Sequence, residues 1–141
     1  MNDIMQTIAV YALPVIFAVT LHEAAHGYVA RLFGDPTAML AGRVTLNPIV
    51  HIDMVGTVLV PLGILLTSKV LGGPPLLFGW AKPVPVNFNK LHKPKRDMLW
   101  VALAGPAANL WMAIMWALTV RLLLDAGVLR DSFWFQMAVV G

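Results

Sequence analysis

The chain has no cysteine, which excludes disulfide frameworks, thiolate metal sites and cysteine nucleophiles together. Charge is scarce: Asp, Glu, Lys and Arg make up 12% of the 141 residues, against about 25% in ordinary soluble domains. Glutamate is scarcer still, since Glu23 is the only one. There is no internal repeat and no low-complexity tract. The start, Met1-Asn2-Asp3, has no basic n-region and no small-residue cleavage site follows it, so no cleaved signal peptide is read there. The one basic cluster, Lys82, Lys90, Lys93, Lys95 and Arg96, carries little aromatic interleaving. It reads as a juxtamembrane loop and not as a nucleic-acid surface.

Apolar residues fill the space that charge leaves. They form 59% of the chain, and the mean hydropathy is +0.76. Several apolar segments are about 20 residues long, enough to cross a bilayer as helix. The length prior allows one domain, so residues 1–141 read as a single membrane-embedded unit. Its expected class is an all-α integral membrane protein of about three membrane helices, one of them broken or re-entrant. A short surface strand or hairpin and an incomplete fourth segment complete the expectation.

The polar exception within the first apolar run is Leu21-His22-Glu23-Ala24-Ala25-His26-Gly27. Residues four apart share a helix face, so His22 and His26 can hold one metal ion between them. Glu23 lies about 100° round the same turn, placed to take a proton from water at that metal. This is the H-E-x-x-H spacing of zinc hydrolases. A pair of satisfied histidines near a helix end is the bland alternative. A charged glutamate at membrane depth weighs against it, because intramembrane ionisable groups are costly and usually functional.

Taken in order, the first helix is expected over residues 4–33, kinked near Pro14 and ended by Gly34-Asp35-Pro36. His22 then lies about 27 Å along the axis, close to one membrane face. Residues 37–53 alternate weakly and suggest the surface strand or hairpin, with a turn at Asn47-Pro48. His51 and Asp53 read first as partners for that turn and second as metal ligands. The segment 54–71 is interrupted by Gly56, Pro61 and Gly63, which suits irregular backbone buried in protein. The loop after it holds Pro83 and Pro85, which enforce extended backbone able to pair with a peptide or to act as a plain linker. The segment 98–124 carries Asn109, whose amide needs a partner and should face the bundle; Asn109 is also the candidate for substrate contact. Residues 133–140 begin a further apolar segment.

A catalytic zinc usually takes three protein ligands. A metzincin extension would need His at position 32, which is Leu32, and a downstream glutamate is excluded because Glu23 stands alone. His51, His92 and the aspartates remain, with Asp125 in Leu124-Asp125-Ala126-Gly127 the least implausible.

Beyond H-E-x-x-H the chain carries Gly42-Arg43-Val44-Thr45-Leu46-Asn47-Pro48, then His51-Ile52-Asp53. Gly79-Trp80-Ala81-Lys82-Pro83-Val84-Pro85-Val86-Asn87 and Ala104-Gly105-Pro106-Ala107-Ala108-Asn109 follow. In that order these motifs resemble the compact bacterial branch of the site-2 protease family, intramembrane zinc metalloproteases. The resemblance implies zinc on His22 and His26, water activation by Glu23, a lipid-bilayer setting in the bacterial plasma membrane, and transmembrane proteins as substrates. It also implies a third ligand, an Asp in a Leu-Asp-Gly motif on a later helix. No such motif occurs in the chain, which is therefore expected to be an N-terminal fragment with a weakly held zinc. The competing class is a non-catalytic membrane metal-binding protein or a pseudoprotease scaffold. Topology has two readings: three full crossings would split the basic residues between faces and put the 82–96 cluster and the N-terminus in the cytoplasm, whereas the resemblance puts the H-E-x-x-H end there. A re-entrant second segment would reconcile them.

Overall fold

A computed structural model describes residues 2–74 and 78–141, with side chains from Met5 onward. Pro75, which the sequence places in the turn after the second segment, lies outside the described residues. The chain is helical: α1 (Asn2–Leu32), α2 (Thr37–Leu40), a π-helical stretch Met54–Leu59 running into α3 (Val60–Leu71), α4 (Pro94–Asp125) and α5 (Phe133–Val140). Met5–Leu32, Met54–Leu71 and Pro94–Asp125 are each long and apolar enough to cross a membrane. Only 22% of the most apolar window of the first and 6% of that of the third are buried within the protein. Outward leucines and tryptophans such as Leu110, Trp111 and Leu122 are a penalty in water and none in lipid. This is a membrane protein.

α1 and α4 are the principal pair and run antiparallel: His26 meets Val101, and His22 meets Asn109. Small residues let them approach, and the compact core at the site end is Ala30, Leu91 and Val101. α5 returns along both, with Gln6 and Gln136 bonded at the far end. α1 stops where Gly34 takes φ +105°, a conformation glycine adopts without steric cost. A β-carbon there would also collide with the His92 imidazole.

The second segment leaves and returns at one end of the bundle. The Trp80 amide donates to Gly56 O at 3.0 Å and that of Lys82 to His51 O at 3.0 Å, so the chain before the segment and the chain after it lie side by side. Arg31, Arg43, Lys82, Lys90, Lys93, Lys95 and Arg96 therefore share the end of α1 that carries His22 and His26. Arg121 and Arg130 lie at the other end. The break within the segment is the wide π turn, with Asp53 capping it by accepting from the Gly56 amide at 2.7 Å and Pro61 at the entry to α3.

The expected surface strand is not formed. Among the described residues there is no strand: residues 37–40 are α2 and Pro48–His51 is a 3-10 turn capped by Asn47. The segment between them has no neighbouring strand to pair with, and side chains satisfy it instead. Thr45 O receives a hydrogen bond from the His51 ring at 3.0 Å, and Arg43 reaches Lys82 O at 2.7 Å. His51 thus serves the turn as expected, whereas Asp53 serves the π-helical stretch that follows it.

Asp35 is the clamp of this end. Its carboxylate accepts from the amide and hydroxyl of Thr37 and from the Asn87 amide at 2.6 Å, tying α1, α2 and the proline loop together. Burial pushes its carboxyl up, but the hydrogen bonds from Thr37 and Asn87, with the Lys90 charge, together hold it below the ordinary range. A depressed carboxyl stabilises the fold above its unfolded pKa of about 3.9, and this contribution fades as pH falls through the lower folded value. Asp35→Ala is expected to cost about 1–3 kcal/mol near neutral pH. Thermal unfolding in detergent should fall below pH 4 for the parent and change less steeply for Asp35→Asn. A parent curve parallel to that of Asp35→Asn would show that the clamp carries no charge-dependent stability.

Candidate metal centre

His22 and His26 lie one turn apart on α1, with ring centroids 4.7 Å apart and ring planes at 80°. The 3.6-residue repeat aims both at α4, and each ring is held there through Nδ1. His26 Nδ1 lies 2.6 Å from Val101 O. A carbonyl only accepts, so Nδ1 carries the proton and the lone pair is left on Nε2. His22 Nδ1 lies 3.1 Å from the Asn109 side-chain amide. With the amide nitrogen on the ring, Asn109 Oδ1 is buried and unpartnered. A half-turn of the amide brings Oδ1 onto Nδ1–H, puts the amide nitrogen where Oδ1 stood, and frees Nε2 of His22 as well.

The two Nε2 atoms converge on α4 at Gly105. A β-carbon there would lie 2.4 Å from that of His26 and 2.5 Å from that of His22. Paired imidazoles with free Nε2 atoms and engaged Nδ1 atoms suit zinc, whose histidine ligands are usually oriented through their second nitrogen. These residues fit two of the three protein ligands of a catalytic zinc site. Among the described residues no group of three His, Cys, Asp or Glu comes together. Asp125, the rival third ligand, is paired with Arg121 at 3.2 Å. It lies sixteen residues past Asn109 on the same helix, about 24 Å further along, at the opposite end of the bundle. His92 sits against Gly34 and His51 against Thr45, so neither joins the pair.

Glu23 projects beside the pair, and its Oε2 accepts from the Val84 amide at 3.1 Å. Val84 belongs to an extended strap whose amides at Trp80, Lys82 and Val84 all bond to the protein body. Successive residues of extended chain face opposite ways, so the outer edge carries Pro83 and Pro85, which have no N–H to offer a peptide. His22, Glu23 and Asn109 open into a mostly apolar cavity of about 580 Å3. Val15 and Val19 of α1, Pro61 and Leu65 of the second segment, and Phe78 and Trp80 of the strap form its walls. The sequence had marked His22, Glu23, His26 and Asn109. It did not reveal Val101, which acts through a backbone carbonyl, or the Val84 amide.

The fold and this site define a class: a multi-helix membrane protein with an H-E-x-x-H pair braced by a second helix. The chain is 37% identical over 139 residues to the Bacillus subtilis (strain 168) protein named "Putative zinc metalloprotease YwhC", a match that covers 91% of this chain and 58% of that one. It is 30% identical over 127 residues to the Mycolicibacterium smegmatis (strain ATCC 700084 / mc(2)155) protein named "Putative zinc metalloprotease Rip2", covering 89% of this chain and 44% of that one. Both relatives are homologues of the chain, and their names agree with the zinc metalloprotease resemblance of its motifs. It spans about half the length of each. No family model matches the chain, and no solved structure matches it.

The Asn109 contact has a direct test. Asn109→Ala removes the partner of a part-buried imidazole and is expected to lower stability by about 1–3 kcal/mol, read from thermal unfolding in detergent. Asn109→Leu, which fills the volume without the amide, should be no better. Equal stability of all three chains would show that the His22 contact bears no weight.

Proposed function

We propose that this chain forms the H-E-x-x-H part of a zinc metalloendopeptidase that cleaves transmembrane segments within or near the bilayer. The observation that carries this reading is the convergence of the His22 and His26 Nε2 atoms with Glu23 beside them. His22 and His26 would hold zinc. Bound there, the ion would supply Lewis acidity to polarise the scissile carbonyl and acidify water. Glu23 takes the proton of the attacking water and returns it to the leaving amine. The Val84 amide steadies one carboxylate oxygen and leaves the other for that transfer. Asn109 orients His22 and borders the cavity in which an unwound substrate backbone lies. The apolar walls of that cavity suit the side chains of a membrane segment.

The same reading sets the protein in a bacterial plasma membrane with the His22 end in the cytoplasm, because most of the basic residues gather there. A pseudoprotease scaffold is the less favoured alternative, since Glu23, His22 and His26 are all present.

Metal content and proteolysis of a tagged membrane substrate separate the roles, measured with the protein as its cell makes it. His22→Ala and His26→Ala should lose zinc and activity together. Glu23→Gln should keep zinc and lose cleavage by about 10²-fold or more. Zinc lost equally in Glu23→Gln, with the fold intact, would assign Glu23 to binding. Cleavage undiminished in Glu23→Gln would reject the base.

For orientation, a reporter fused after Lys95 is expected to report the cytoplasm and one fused after Gly127 the outside. The reverse pattern would overturn the proposed topology.

A further inference from the structure

We propose that Gly105 is the positioning residue that seats both imidazoles of the metal pair. The missing side chain at this one position of α4 leaves room for the His22 and His26 rings to lie against the helix. The inference rests on the zinc reading above and extends the site from α1 to its neighbour.

The distances carry the argument. A β-carbon at Gly105 would stand 2.4 Å from Nε2 of His26, 2.5 Å from Nε2 of His22 and 2.7 Å from Cε1 of His22. No carbon is tolerated at such separations. The two imidazoles therefore lie against α4 only where the side chain is a hydrogen atom, and the pair of nitrogens that would hold zinc is seated with them. The rings are poorly free to retreat, since His26 is tied to Val101 O at 2.6 Å and His22 to Asn109 at 3.1 Å.

Close helix approach alone does not call for glycine here. Alanine is the better helix former and is itself small enough for most helix contacts in a membrane. α4 uses it at Ala102, Ala104, Ala107 and Ala108, and glycine only at position 105. Position 105 is also where α4 is buried against the two rings.

Two measurements test this in detergent on the protein as its cell makes it. Zinc affinity, read by competition with a chromogenic chelator, should fall at least tenfold in Gly105→Ala. It should be unchanged in Gly63→Ala, where a β-carbon meets nothing within 4 Å. The second measurement needs no metal. Gly105→Ala should lower the midpoint of thermal unfolding in the parent and raise it when His22 and His26 are both alanine. Should Gly105→Ala alone fail to fold, folding of the triple variant supports the same conclusion. Parental zinc affinity in Gly105→Ala, or a penalty that persists without the two rings, overturns the proposal. A parent chain that binds no zinc overturns the metal reading itself, and this inference with it.

Discussion

The hydrogen bond from His26 Nδ1 to the Val101 carbonyl is the contact on which the site depends. At membrane depth an imidazole has little water to satisfy its second nitrogen, and an unpartnered polar group is costly there. The carbonyl settles both the energy and the tautomer. It leaves Nε2 as an acceptor, fixes the ring plane, and makes α4 part of the centre even though both histidines belong to α1. Asn109 repeats the arrangement for His22 two turns further along α4. Val101, Gly105 and Asn109 are spaced four apart, so one stripe of α4 supplies an acceptor, a gap and an amide.

The strap completes the enclosure from the other side. Its amides at Trp80, Lys82, Val84 and Asn87 reach Gly56, His51, Glu23 and Asp35 in turn. Four parts of the chain thereby hold one extended segment against the end of α1. The price is a set of buried and part-buried polar groups at this end, and the main ones are paired. Asp35 answers three donors, Asp53 caps the π turn, and Arg43 bridges to Lys82. Such polar density at one end contrasts with the bare apolar flanks of α3 and α4. That contrast is what allows the Glu23 carboxylate to sit in an otherwise apolar bundle.

Much of this was legible in the sequence because it is written in residue type and spacing. The apolar run into His22, the i,i+4 pair and the small residues around Gly105 each imply a helix or a contact on their own. Asn109 had to face inward because its amide cannot face lipid unpaired. The breaks at Gly56 and Pro61 marked the second segment as irregular. What the sequence could not convey was backbone chemistry and path. The Val101 carbonyl and the Val84 amide belong to every residue alike, so nothing in their side chains announces a role. The weak alternation within residues 37–53 suggested a strand. A strand needs a partner, and here the His51 and Arg43 side chains took up that function. The return of the second segment, which gathers the basic residues at one end, depends on pairings between Gly56 and Trp80 and between His51 and Lys82 that no local pattern encodes.

The single glycine on α4 also acts as a gauge of alignment between two helices. Lipid offers little hydrophobic force to choose one sliding position of α4 along α1 over another. A slip of one turn, about 5.4 Å, would bring Val101 or Ala102, or else Ala108 or Asn109, opposite the imidazoles. Each carries a β-carbon, and each would close the gap. Only one setting of the pair accepts both rings, so assembly of the centre and correct seating of the bundle are the same event.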